Sequence, residues 1–137
     1  MRPRFHLAFP VTDLATTRSF YGEALGAREG RSAERWVDFD LWGHQISAHL
    51  VDANDEPPTS AVDGDSVPVR HFGCILPWEE WEALAARLEA RGVPFRIAPR
   101  VRFQGEPGEQ GTFFVDDPSG NSLEFKAFRD DADVFQT

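Results

Sequence analysis

A second cysteine is missing from this chain of 137 residues: Cys74 stands alone, so no disulfide can close within the molecule. Its neighbours Phe72, Gly73, Ile75 and Leu76 offer nothing to lower a thiol pKa, so a buried, inert thiol in a reducing compartment is expected. Positive charge is also scarce. With 14 Lys and Arg against 23 Asp and Glu, the formal net charge is -9, which speaks against nucleic acid or an anionic membrane as partner, since both need basic surface to neutralise phosphate. Nor is there a long apolar run: Met1 is followed by Arg2-Pro3-Arg4 and a short strand-like stretch, unlike a signal peptide or a spanning helix. These absences leave a cytoplasmic chain with a small-molecule partner as the expectation. Its length suits one domain, residues 1–137, burying roughly two-thirds of the surface an unfolded chain of this size exposes.

What the chain does contain is a repeat. In residues 4–11, Phe5, Leu7, Phe9 and Val11 face one way and His6 and Ala8 the other, which is the period of a strand. Asp13 then suits the N-cap of a helix to about Leu25, with Leu14, Tyr21 and Leu25 near helical spacing and Gly26 just past the end. The order recurs. Residues 71–76 read as a strand, Pro77 suits a first helical position, Trp78, Trp81, Leu84 and Leu88 form an apolar stripe, and Gly92 ends it. His6 and His71 are 65 positions apart and Gly26 and Gly92 are 66, so, to within one residue, both histidines precede the ends of their helices by the same distance. Three strand candidates follow each helix: 27–31, 35–41 and 45–51, then 94–97, 112–115 and 122–128. The expected fold class is therefore α+β, with two βαβββ modules at about 4–51 and 69–128, an acidic solvated linker at about 52–68 and a tail at 129–137. A polar stretch, 103–111, interrupts the second module and reads either as a lip over a pocket or as an ordinary surface loop.

Strand alternation then singles out a ligand set. Glu124 shares the polar face of its strand with Ser122 and Lys126, opposite Leu123, Phe125 and Ala127, as His6 shares the polar face of the first. A carboxylate there needs water, a proton or a cation to offset desolvation. His71 joins them as the repeat equivalent of His6, and Gly73 beside it leaves room for an ion or ligand. Two imidazoles and one carboxylate form an open divalent-metal site. The position matching Glu124 in the first module, four residues past Gly43, holds Ser47, a poor ligand, which makes it a pocket candidate. His49 lies on the same face, about 6 to 7 Å further along, and is expected on the pocket wall as a catalytic acid or base, with ligation the alternative. His44, at a turn, is expected at the surface. Arg100 and Arg102 either hold an anionic substrate group or are exposed charges. One of the sets Trp36/Asp38/Asp40 and Val37/Phe39/Leu41 lines the pocket and the other the core, and spacing does not say which.

His6 with the run from Phe9 to Leu14, Phe20-Tyr21, Leu25-Gly26, His71 and the run Asp117-Pro118-Ser119-Gly120-Asn121-Ser122-Leu123-Glu124-Phe125 together resemble the vicinal oxygen chelate superfamily, over nearly the whole chain. That superfamily includes glyoxalase I, extradiol dioxygenases, fosfomycin-resistance thiol transferases and bleomycin-resistance proteins. The resemblance implies paired βαβββ modules forming an open, cupped mixed sheet around a metal, commonly in a homodimer whose modules pair within one chain or across two. Carried over by position, His6, His71 and Glu124 are its metal ligands. A glyoxalase I has a fourth ligand, glutamate, where Ser47 stands here. A three-ligand set leaves up to three positions of an octahedral ion open, enough for a substrate chelating through two oxygens and for dioxygen. The resemblance thus favours an extradiol-type dioxygenase using Fe(II) or Mn(II), with Ni(II) or Zn(II) as further candidates. The alternatives are a glyoxalase-like lyase or isomerase, a fosfomycin-type thiol transferase, and a metal-free binding protein of the bleomycin-resistance type.

Overall fold

Alternating side chains settle the faces of two four-stranded sheets in a computed structural model that describes all residues 1–137. The fold is α+β, built of two βαβββ modules with open mixed sheets, and the chain separates into two compact units.

The first unit comprises residues 1–56 and 117–121. Strand β1 (His6–Val11) leads into helix α1 (Leu14–Arg18), followed by β2 (Arg28–Ala33), β3 (Trp36–Leu41) and β4 (His44–Leu50). The sheet order is β1-β4-β3-β2, parallel between β1 and β4 and antiparallel elsewhere. Asp13 caps α1 by accepting from the Ala15 N–H at 3.0 Å, as its position predicts. The helix widens into a π-helical stretch, Ser19–Ala24, where the Leu25 N–H donates to the Phe20 carbonyl at 2.9 Å, and Gly26 ends it with φ +78°. Val37, Phe39 and Leu41 are the buried set of β3, with Tyr21 packed 5.4 Å from both Phe9 and Phe39. Trp36, Asp38 and Asp40 therefore stand on the other, open face.

The second unit comprises residues 57–116 and 122–137. Here β7 (His71–Ile75) is followed by α2 (Trp78–Ala90), β8 (Phe95–Arg102), β9 (Gln110–Asp116) and β10 (Ser122–Phe128), in the sheet order β7-β10-β9-β8. The apolar stripe of α2 buries Trp81, Leu84 and Leu88, and the Trp81 ring lies 5.9 Å from that of Phe113, on the face opposite the candidate ligands. The repeat extends to register. His6 lies opposite Gln45 and Ala8 opposite Ser47; His71 lies opposite Ser122 and Gly73 opposite Glu124.

Two expectations change. Within the stretch read as a solvated linker, β5 (Thr59–Val62) and β6 (Asp65–Pro68) pair as an antiparallel hairpin with Val67 buried. The cause is Asp63-Gly64: both adopt positive φ, 49° and 82°, the requirement of a two-residue turn matched to strand twist. Gly73, in turn, leaves no room for a ligand. A Cβ there would overlap the backbone carbonyl oxygen of Glu124, so the glycine serves close approach of β7 to β10. Gly73→Ala is expected to cost about 2–4 kcal/mol in urea unfolding, at the upper end for overpacking because rigid backbone blocks the methyl; a loss below about 1 kcal/mol would contradict that packing. No helix is long and apolar enough to cross a membrane.

Candidate metal centre

His71 opens β7, and β10 delivers Glu124 beside it, placing Nε2 of the imidazole 3.0 Å from Oε2 of the carboxylate. Each group is fixed from behind. His71 Nδ1 lies 2.7 Å from the Pro68 carbonyl, to which its N–H donates, and the Thr112 hydroxyl donates to Glu124 Oε1 at 2.7 Å. The Phe114 ring meets the imidazole edge to face at 5.0 Å. With Nδ1 committed as donor, the Nε2 lone pair and Oε2 converge, so something positive must sit between them: a proton or a metal ion. The hydrogen bond with Glu124 raises the His71 pKa; burial opposes this, and the Pro68 carbonyl adds to it. Burial pushes the Glu124 carboxyl up, but the donors His71 and Thr112 outweigh it and leave its pKa lowered.

The pair fits a divalent ion. Neighbouring positions on an octahedral ion with bonds of about 2.1 Å are about 3 Å apart, the spacing found here, and an imidazole anchored on a backbone carbonyl is the usual support of a ligating histidine. The pair lines a cavity of about 310 Å³, whose wall also includes Arg102, Phe103, Phe114 and Lys126.

His6 is exposed at the start of β1, in the first unit, and no group of three or more His, Cys, Asp or Glu side chains within the chain is arranged to hold a metal ion. His49 is exposed on β4, opposite Pro10 and Trp36, on the same face as His6 and outside the cavity lining. Ser47 is buried, and its hydroxyl donates to Asp38. His44 is exposed as expected, though its Nδ1 accepts from the Phe5 N–H at 2.9 Å. Arg100 lies outside the cavity lining and pairs with Asp63 at 2.8 Å and Asp65 at 3.0 Å. Arg102 lines the cavity and pairs with Asp65 at 3.0 Å. Cys74 is partly buried, and burial pushes its thiol up to about 11. Sequence reasoning missed Thr112 and Phe114, although alternation in β9 places both on the face opposite Phe113. It also missed the hairpin aspartates, whose signal was Asp63-Gly64.

A family model of the Glyoxalase/Bleomycin resistance protein/Dioxygenase superfamily matches residues 5–125. The chain belongs to that superfamily. A crystal structure of a glyoxalase/bleomycin resistance protein/dioxygenase from Alicyclobacillus acidocaldarius is similar at 33% identity and TM-score 0.83, over 98% of this chain and 97% of that one. The superfamily fold also matches FosX, a genomically encoded fosfomycin resistance protein from Listeria monocytogenes. In its complex with Mn(II) and sulfate ion the TM-score is 0.67 and the identity 24%, over 93% of this chain and 91% of that one. The chain is further similar to biphenyl-2,3-diol 1,2-dioxygenase of Sphingomonas paucimobilis, 27% identical over 122 residues, which are 87% of this chain but only 36% of that enzyme. Superfamily members act on small molecules and typically bind divalent metals.

Proposed function

We propose that this protein is a divalent-metal enzyme of the extradiol dioxygenase type, acting on a small substrate that chelates through neighbouring oxygens, with His6, His71 and Glu124 as metal ligands and Fe(II) or Mn(II) as the ion. The observation that carries the reading is the His71–Glu124 pair, 3.0 Å apart and anchored on the far side of each group. Similarity to biphenyl-2,3-diol 1,2-dioxygenase supports the reaction class.

The bound ion would act as a Lewis acid, stabilising the oxyanion of a deprotonated substrate hydroxyl. The chain's own residues do the rest. Pro68 holds the His71 ring in the tautomer that presents Nε2, and Thr112 turns Glu124 so that Oε2 faces the same point. His6 completes the ligand set in this reading, supplied either by the same chain or by the second copy of a homodimer. His49 shares the face of His6, four positions further along the paired strands β1 and β4, and is the candidate in this reading to take the substrate proton.

Metal analysis of freshly purified protein tests this reading. One transition-metal ion per chain is expected, with loss of at least about tenfold in metal affinity in Glu124→Ala, as removal of a ligand requires. Oxygen uptake with a panel of catechols under Fe(II) checks the reaction. Metal without uptake would move the assignment to the thiol transferase or lyase branch. Refusal of Fe(II), Mn(II), Ni(II) and Zn(II) alike would make the protein a metal-free binder.

A further inference from the structure

The β5–β6 hairpin belongs to neither four-stranded sheet, yet it forms part of the cavity wall through Val62, Asp63 and Val67. A two-stranded hairpin is marginal on its own. Here it is clamped by two arginines of β8. Arg100 reaches Asp63 at 2.8 Å and Asp65 at 3.0 Å; Arg102 reaches Asp65 at 3.0 Å and Asp63 at 3.6 Å.

Arg102 is the unusual member. Its side chain is only 10% exposed, both terminal nitrogens face carboxylates of the hairpin, and its buried Nε has no hydrogen-bond partner. A guanidinium offers five N–H donors in a fork that suits two parallel bonds to one oxyanion, and a stranded buried donor carries a desolvation cost that a structure retains for a reason. The two aspartates contact the fork's tips, Asp63 only at long range, and leave its inner edge unused. Lys126, the only lysine of the chain, stands on the same cavity wall with His71 and Glu124. The wall sets these two cations against two carboxylates, Asp63 and Glu124, so an incoming anion gains Arg102 by replacing an aspartate rather than by adding to it.

We infer that Asp63 and Asp65 are internal stand-ins for a substrate oxyanion group: an anionic substituent, distinct from the chelating oxygens, displaces them from Arg102 and takes the guanidinium fork, Nε included. Arg102 is then a specificity-determining residue that selects substrates carrying a carboxylate or similar oxyanion, and the hairpin is the competitor that entry of such a substrate displaces. This rests on the metal-enzyme reading for the placement of the chelating oxygens but not for the anion contact itself.

The test is calorimetric titration of the full-length protein, with and without Mn(II), using catechol and its carboxylated analogue protocatechuate. The carboxylate is expected to add about tenfold in affinity, the scale of one charge-assisted bidentate contact. Arg102→Lys, which keeps the charge but loses the fork, should shrink that preference to threefold or less. Asp63→Asn with Asp65→Asn should raise protocatechuate affinity several-fold while leaving catechol unchanged; a merely structural hairpin would move both downward. Equal affinities for the two probes in the wild type, or a double variant that binds protocatechuate no more tightly, would overturn the inference. Mn(II) titration alone reports separately on His71 and Glu124. Its failure defeats the metal reading, while the carboxylate preference, measured without metal, still decides the role of Arg102.

Discussion

Mixing His6→Ala chains with Glu124→Ala chains restores metal binding that neither variant has alone, if two copies build each site. His6 lies in the first unit, while His71 and Glu124 lie in the second. In a symmetric dimer that exchanges modules, each site takes His6 from one chain and the His71–Glu124 pair from the other. A mixed dimer then collects both lesions in one site and leaves the other intact. Random reassembly makes about half the dimers mixed, so about one quarter of wild-type metal should return, and oxygen uptake with it. The control is a mixture of His71→Ala with Glu124→Ala. Both lesions fall in one unit, each site keeps a damaged pair, and no metal should return. Zero recovery in the first mixture, from variants shown to dimerise and exchange, would mean that each chain supplies its own His6.

That experiment starts from a symmetry readable in the sequence. The spacing of His6 and His71 from their helix-ending glycines, the same to within one residue, predicted two equivalent units, and the strand registers agree residue for residue: Ala8 faces Ser47 as Gly73 faces Glu124. Alternation also assigned Glu124 to the face it occupies, because a residue shifted by one along a strand changes sides. Residues recruited from neighbouring strands were harder to read. Thr112 anchors Glu124 only because β9 pairs beside β10, with Phe114 opposite Glu124, and pairing of strands is long-range information. The hairpin at Asp63-Gly64 was hidden for another reason. Its acidic, proline-flanked composition resembles a linker, and what secures it is the pair Arg100 and Arg102, 37 residues away. Composition reports what a segment can bury alone, not what a distant cation will neutralise.

The Asp117-Pro118-Ser119-Gly120 run carried the strongest family signal, and its structural work predicts the largest loss of stability. Asp117 is 5% exposed, and its carboxylate accepts from the backbone N–H groups of Ser119 at 2.8 Å and Asn121 at 2.9 Å through Oδ1. Through Oδ2 it accepts from the Tyr21 hydroxyl at 2.8 Å and the Asn121 side-chain amide at 2.9 Å. The turn so formed is bound into the first unit: the Thr12 N–H donates to the Ser119 hydroxyl at 2.9 Å, and the Asn121 amide to the Pro10 carbonyl at 2.7 Å. Asp117→Ala removes the acceptor of four donors at once and strands the fully buried Tyr21 hydroxyl, which burial, then the charge of Asp117, holds in its neutral form. Charge-assisted bonds contribute about 1.5–3 kcal/mol each, and their effects overlap, so a loss of about 3–5 kcal/mol is expected in urea unfolding. Tyr21→Phe removes one donor and leaves three, and about 1–2 kcal/mol should go with it. Hydrogen exchange supplies the local readout: in Asp117→Ala the Thr12, Ser119 and Asn121 amides should lose protection ahead of those in β9. A variant within about 1 kcal/mol of the wild type would show that the turn's backbone holds itself, and that the carboxylate at its centre is dispensable.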